Sequence, residues 1–227
     1  MRAVVFDFYG TLTTGRSDAE QARARAEQAD ALGVDAARLD AEMTATVDER
    51  FTGAGGTVEG SLAWVCARIG ARPTPDQLAE AARLRLAAEQ GFGRPRPDAV
   101  PVLTALHEAG LRIGLVSDCS AELPRYFGEL PVAPFVDAAV FSFVLGVKKP
   151  AAAIFLACCE ALGVAPEECL YVGDGGSNEL VGAREVGMRA VHLAVPGEIS
   201  GVVYGRHASW DGEVVTSLSD VPGLVRP

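Results

Sequence analysis

The stretch VVFDFYGTLT, residues 4–13, ends an apolar run with the carboxylate of Asp7 and then enters a Gly-Thr turn. The run from Ala3 to Phe8 is short, rich in β-branched and aromatic residues, and closed by Gly10. Such a run predicts a strand that is buried on both faces, as in a parallel sheet. Asp7 then stands at the carboxyl end of the strand, where open parallel sheets bind their ligands.

Four further runs repeat this pattern along the chain. Helical patterns separate most of them, and strands that alternate with helices predict right-handed crossovers and a mostly parallel sheet covered on both sides. A last short strand and helix are expected after Trp210. The fold class is therefore α/β. The four runs are LRIGLVS (111–117), AAVFSF (138–143), CLYVG (169–173) and AVHLAV (190–195).

Residues 17–90 interrupt this alternation, because they contain four helical stretches and no convincing strand. Ser17 and Thr57 are predicted helix N-caps. The alternation resumes after GFGRPRP, residues 91–97, whose glycines and prolines suit a linker. We therefore expect a core domain made of residues 1–14 and 95–227, with a helical domain, residues 15–94, inserted into it.

Composition sets limits on function. The chain has 227 residues, 49% of them hydrophobic, and a net charge of -10, which gives no electrostatic reason to expect nucleic-acid binding. It shows neither a run of about 20 apolar residues nor a signal peptide, so we expect a cytoplasmic protein that does not enter a membrane. Its five cysteines form no metal-ligand spacing, and their odd number argues against a disulfide framework.

Polar residues collect at the predicted strand ends. A carboxylate, a hydroxyl, an ammonium and a second carboxylate would meet at one edge of the sheet. Two nearby carboxylates favour a hard divalent cation such as Mg²⁺, and an aspartate nucleophile can split phosphoryl transfer into two easier steps. Each residue alone also has a structural interpretation as a turn former, a helix cap or a solvated charge, but their order along the chain favours phosphoryl chemistry. They are Asp7, Ser117 with Asp118, Lys148 with Lys149, and Asp174.

The four stretches DFYGTLT, GLVSD, GVKKP and YVGDGGSNEL resemble, in order, the four motifs of the haloacid dehalogenase-like (HAD) hydrolase superfamily. The resemblance implies a Rossmann-like core, a mobile helical cap that closes over the substrate, a Mg²⁺ cofactor and a small phosphorylated substrate. The implied catalytic residues are Asp7 as nucleophile, Tyr9, Ser117 and Lys149. The implied phosphate-binding residues are Gly10, Thr11, Ser117, Asp118 and Lys149.

The implied metal ligands are Asp7, Tyr9 through its backbone carbonyl, Asp174, and either Asn178 or Glu179. The charge of Glu179 favours it slightly, although its helical phase could turn it away. Arg38, Arg50, Trp64 and Arg68 are candidates for substrate contact from the cap, which helical spacing does not separate from ordinary surface residues.

Tyr9 departs from the pattern of most phosphatases in this superfamily, which carry a second aspartate two positions after the nucleophile. That aspartate protonates the leaving oxygen and later activates water. A phenol has an unperturbed pKa near 10 and does not readily act as a base at neutral pH, so a factor of roughly 10²–10⁴ in rate is in question. Substrates with good leaving groups, or an acid recruited from the cap, would reconcile Tyr9 with phosphatase activity.

Two alternatives stay open. The pattern Asp-x-Tyr-Gly-Thr also resembles the L-2-haloacid dehalogenase branch, whose Asp displaces halide from carbon without a metal or a proton donor. That branch has Ser-Asn in the second motif and Ser-Ser-Asn in the fourth, whereas this chain has Ser117-Asp118 and Gly173-Asp174. The other alternative is a catalytically silent relative that binds a ligand. The sequence leaves the natural substrate and the oligomeric state open.

Overall fold

A six-stranded parallel sheet runs through the protein, in the order β3-β2-β1-β4-β5-β6. The computed structural model describes residues 1–14, 17–198 and 210–225. All four residues of the first strand are fully buried at the centre of the sheet. The predicted α/β fold is confirmed. The strands are β1 Ala3–Phe6, β2 Arg112–Ser117, β3 Ala138–Phe141, β4 Cys169–Gly173, β5 Arg189–Leu193 and β6 Glu213–Val215.

Helices follow most strands and cover both faces of the sheet with two apolar clusters. In the core these helices are α6 Ala99–Glu108, α7 Glu122–Tyr126, α8 Ser142–Leu145, α9 Ala152–Leu162, α10 Glu179–Glu185 and α11 Val221–Leu224. Between β1 and α6 lie five helices that we call the helical insertion: α1 Asp18–Leu32, α2 Ala36–Ala45, α3 Val47–Phe51, α4 Val58–Arg68 and α5 Pro75–Phe92.

The helical insertion has an apolar cluster of its own, centred on residues such as Leu39, Leu62 and Val65. Ser17 and Thr57 cap α1 and α4 through their side chains, as predicted. The insertion contains five helices rather than four, because the backbone turns at Thr46 between α2 and α3. The two segments that cross between insertion and core meet in an antiparallel bridge of Thr13 with Pro95.

Three strand predictions were too long. β1 ends at Phe6, and residues Phe8–Leu12 form a tight helical turn. β3 gives way to α8 after Phe141, and β5 ends at Leu193. Phe8 is nevertheless fully buried in the sheet's core cluster. The apolar residues therefore predicted burial correctly, but they did not predict where the hydrogen bonds of the strand end.

Among the described residues, no helix combines the length and the apolar character needed to span a bilayer. The five cysteines are all buried free thiols.

Gly182 allows α10 to lie close to the segment that precedes α9. A Cβ at Gly182 would lie 2.6 Å from the backbone oxygen of Pro150, which cannot move away like a flexible side chain. We expect Gly182→Ala to lower the free energy of unfolding by about 1–3 kcal/mol through overpacking. The measurement is urea denaturation followed by circular dichroism.

Gly91→Ala in α5 is the matched control. A Cβ there meets nothing within 4 Å. This change should raise the free energy of unfolding by about 0.5–1 kcal/mol, because alanine loses less backbone entropy in a helix than glycine. Equal effects of the two substitutions would contradict the packing argument.

Candidate active site

The carboxyl ends of the central strands bring the predicted residues together. Asp7 follows β1, and its backbone N–H continues the ladder by donating to Val172 O of β4 at 2.9 Å. Asp174 follows β4 directly. Asp7, Asp174 and Glu179 each offer an oxygen such that these three atoms lie within 4.8 Å of one another. The structure thus places three carboxylates in one small volume.

Lys149 lies between two of these carboxylates. Its Nζ donates to Asp7 Oδ1 and to Glu179 Oε2, both at 2.5 Å. Its backbone N–H donates to Asp118 Oδ1 at 2.9 Å, which fixes the chain after β3 against the end of β2. Burial acts to lower the pKa of Lys149, but the Asp7 and Glu179 carboxylates outweigh it and hold that pKa well above its usual range. Lys149 is therefore an ammonium at neutral pH.

Asp7 is 5% exposed. Burial raises its pKa to about 6; the Lys149 ammonium opposes this rise, and the Asp174 carboxylate adds to it. Thr11 Oγ1 donates to Asp7 Oδ2 at 3.3 Å, so this predicted phosphate-binding residue contacts the predicted nucleophile. The two oxygens of Asp7 thus have different donors.

Glu179 and Asn178 have different positions, although they are adjacent. Glu179 is fully buried and accepts hydrogen bonds from Lys149, from Tyr171 Oη at 2.8 Å and from Gly175 N at 3.0 Å. Burial raises the pKa of Glu179 to about 8, Lys149 opposes this, and the nearby Asp7 and Asp174 add to it. Asn178 is exposed and has a left-handed backbone (φ 54°).

Gly10 is required by the turn that follows Asp7. Its φ is +81°, and a Cβ on it would lie 2.5 Å from Asp174 Oδ2. The missing side chain lets the Asp174 carboxylate lie against this turn. Asp174 is held in addition by Gly176 N, which donates to Oδ1 at 3.1 Å, and by His192 Nε2, 3.0 Å from its backbone oxygen.

Ser117 and Asp118 end β2 with two buried oxygens that lack a partner among the described residues, Ser117 Oγ and Asp118 Oδ2. Buried hydroxyl and carboxylate oxygens normally have hydrogen-bond partners. The two atoms thus leave hydrogen-bonding capacity for a ligand at the predicted phosphate-binding motif.

Tyr9 contacts a residue that the sequence did not indicate. Its hydroxyl lies 3.4 Å from Glu89 Oε2 of α5 and 3.3 Å from the Tyr126 hydroxyl of α7. Burial, followed by Glu89 and Tyr126, raises the pKa of Tyr9 well above its usual range. Tyr9 is therefore a neutral phenol at any physiological pH.

A cavity of about 240 Å³ lies between this edge of the sheet and the helical insertion. From the core it is lined by Asp7, Tyr9, Gly10, Asp118, Lys149, Asp174 and Glu179, and from the insertion by Arg25, Arg50, Arg85 and Glu89, among others. Of the four insertion residues proposed to contact the substrate, Arg50 lines the cavity. Arg38 donates instead to Ile69 O, and Arg68 stacks on Trp64.

A buried ion pair joins the insertion to the core beside this cavity. The Arg85 guanidinium of α5 binds Glu122 of α7, and Ser120 Oγ donates to the same carboxylate at 2.5 Å. Arg85 outweighs burial and lowers the pKa of Glu122. Residues 37 positions apart form this pair, so no local sequence pattern indicated it.

Comparisons with known proteins agree with the fold and the motif order. The family described as haloacid dehalogenase-like hydrolase matches residues 1–187. A glyceraldehyde 3-phosphate phosphatase of Methanopyrus kandleri is 31% identical over 195 residues, which cover 85% of this chain and 84% of the relative. The chain belongs to the haloacid dehalogenase-like hydrolase family and is an enzyme of that family.

Solved structures of two activities share the fold. A 2-haloacid dehalogenase of Pseudomonas syringae superposes with a TM-score of 0.73 at 21% identity and covers 99% of this chain and 98% of its own. A phosphatase of this family from Thermococcus onnurineus gives 0.64 at 22% identity, with the same coverage. The fold alone therefore does not separate phosphate from halide chemistry.

Lys149→Met tests the electrostatics of the cluster. The substitution leaves Asp7 and Glu179 buried without their cation, so we expect the free energy of unfolding in the presence of a chelator to fall by about 3–5 kcal/mol. The measurement is chemical denaturation at neutral pH.

Lys148→Met is the matched control. Lys148 pairs with Asp48, whose side chain is 66% exposed, at 2.5 Å. Surface pairs of this kind contribute about 0–1 kcal/mol. A loss for Lys149→Met no larger than that for Lys148→Met would show that Lys149 does not hold the buried carboxylates together.

Proposed function

We propose that this protein is a Mg²⁺-dependent phosphatase that hydrolyses a small phosphorylated metabolite through an aspartyl-phosphate on Asp7. The observation that carries the proposal is that Asp7, Asp174 and Lys149 lie buried together at the edge of a cavity between the sheet and the helical insertion. The relative from Methanopyrus kandleri, named for phosphatase activity, supports it.

The carboxylate cluster fits a divalent cation. Three carboxyl groups lie beside one ammonium, and oxygen donors are what Mg²⁺ prefers. The absent side chain of Gly10 lets the Asp174 carboxylate lie close to the turn that follows Asp7. Asp7 and Asp174 would hold the ion, with the Tyr9 carbonyl implied by the family resemblance. When bound, Mg²⁺ would neutralise phosphate charge and orient the phosphoryl group beside Asp7.

Glu179 has a different part in this scheme. Its oxygens already accept from Lys149, Tyr171 and Gly175 N. We therefore assign it to holding the Lys149 ammonium in place, with any contact to the ion made through water.

The residues of the chain support two successive displacements. Asp7 attacks phosphorus and the bond to the leaving oxygen breaks; water then attacks the phosphoryl group and releases Asp7. The Lys149 ammonium and the buried Ser117 hydroxyl stabilise the phosphoryl oxygens as charge builds on them. Closure of the cavity by the helical insertion excludes bulk water from the first step.

The second candidate is a metal-independent haloacid dehalogenase. The observation that favours it is the neutral phenol of Tyr9 where an acid is expected, because halide leaves without a proton. The carboxylate of Asp174 beside Asp7 favours the phosphatase instead, since it makes a cation site that carbon chemistry does not require.

A substrate screen tests this choice. We expect phosphate release from glyceraldehyde 3-phosphate or other small phosphorylated metabolites with Mg²⁺, none with a chelator, and a loss of roughly 10³-fold or more for Asp7→Asn. The control is Asp211→Asn, which removes an exposed carboxylate paired with Arg184 and should leave the rate unchanged.

Chloride release from 2-chloropropionate in the presence of the chelator would identify a dehalogenase instead. Absence of both activities, together with ligand binding that survives Asp7→Asn, would identify a silent relative.

A further inference from the structure

The contact between Tyr9 and Glu89 brings a carboxylate from the helical insertion to the position where the core lacks its acid. Tyr9 Oη donates to Glu89 Oε2 at 3.4 Å. Glu89 lies near the end of α5, its side chain is 14% exposed, and it lines the same cavity as Asp7. A carboxyl group of the insertion thus lines the same cavity as Asp7.

The surroundings hold this carboxylate in place. Arg85 Nη2, one helical turn earlier, lies 3.9 Å from Glu89 Oε1. The Tyr126 hydroxyl donates to the backbone oxygen of Glu89 at 3.1 Å and also contacts the Tyr9 hydroxyl. Two core tyrosines therefore fix both the backbone and the side chain of Glu89 relative to the end of β1.

The other carboxylates along the cavity have different tasks. Asp7 is the nucleophile and Asp174 belongs to the cation site. Glu179 binds Lys149 at full burial, and Asp118 Oδ1 accepts from the Lys149 backbone. Glu89 is the carboxylate of this set that comes from the insertion and contacts Tyr9.

We propose that Glu89 is the general acid and base of this enzyme, a role that rests on the proposed phosphatase function. In the first step Asp7 bonds to phosphorus, the bond to the leaving oxygen breaks, and the Glu89 carboxylic acid gives its proton to that oxygen. In the second step water bonds to phosphorus, its proton passes to the Glu89 carboxylate, and the bond to Asp7 breaks. The enzyme returns to its starting state, with no other reactant needed.

This arrangement couples catalysis to the position of the insertion. The nucleophile, Lys149 and the cation site belong to the core, whereas the acid belongs to α5. The acid reaches the reaction only when the insertion covers the cavity, so the leaving group is protonated in a site closed to bulk water. Tyr9 is then a positioning residue, which orients Glu89 without transferring a proton itself.

The test compares two substrates with the holoenzyme in Mg²⁺. Glyceraldehyde 3-phosphate has an alkoxide leaving group that needs a proton, whereas p-nitrophenolate departs from p-nitrophenyl phosphate without one. We expect Glu89→Gln to lower kcat for glyceraldehyde 3-phosphate roughly 10²–10⁴-fold and to change kcat for p-nitrophenyl phosphate much less. The ratio of the two rates does not depend on the fraction of folded enzyme.

Glu80→Gln is the matched control on the same helix, since Glu80 is exposed and pairs with Arg83. It should leave both rates unchanged. The double variant Glu89→Gln with Tyr9→Asp places a carboxylate two positions after the nucleophile. We expect its kcat for glyceraldehyde 3-phosphate to be at least tenfold higher than that of the Glu89→Gln variant.

Two failures are distinguishable. If the wild-type enzyme hydrolyses both esters with Mg²⁺ but Glu89→Gln leaves their rate ratio unchanged, the role of Glu89 is overturned and the phosphatase function stands. If the wild-type enzyme hydrolyses neither ester under conditions in which it releases chloride from 2-chloropropionate, the phosphatase function fails and the role of Glu89 fails with it.

Discussion

The Lys149 ammonium, bound between the Asp7 and Glu179 carboxylates, is the interaction on which the site depends. All three groups are buried, so each has lost its hydration and needs the others for compensation. The three carboxyl groups of the cluster have this one ammonium beside them. The same crowding of acidic groups that makes this region costly to fold makes it attractive to a divalent cation. Stability and chemistry therefore have one electrostatic origin here.

Parallel strand pairing creates this convergence. Phe6 pairs with Leu115 on one side and with Val172 on the other. Asp7 is one residue beyond that level, whereas Ser117 and Asp174 are two residues beyond it. Residues more than 100 positions apart in the chain are thus aligned by register alone. The turn at Gly10 then bends the chain away, so that the Asp174 carboxylate lies where a side chain would otherwise stand.

The sequence was enough to predict the features that depend on strand register. It did not predict the features that depend on local backbone turns or on the packing of the insertion. Buried runs with polar ends were enough to predict the parallel sheet and the residues at its edge. Phe8 was misplaced because an apolar residue can fill the core from a turn as well as from a strand. The sequence did not show which of Asn178 and Glu179 lies at the site, because that depends on the backbone conformation at the start of α10. Contacts between the insertion and the core, such as Arg85 with Glu122 and Tyr9 with Glu89, depend on how these two parts of the chain pack. No short sequence pattern predicts that packing.

A shared fold explains why the chemistry must be decided by a few side chains. The strands bring the Asp7 carboxylate to the cavity, and an aspartate can attack carbon or phosphorus from the same position. The two reactions differ in whether the leaving group needs a proton and whether the negative charge of the substrate needs a cation. An alkyl phosphate needs a cation and a proton donor, and a halide needs neither. In the proposed function, Asp174 would meet the first need from the core. The second is met, in this interpretation, from α5, because the tyrosine that replaced the core acid orients a carboxylate on the insertion.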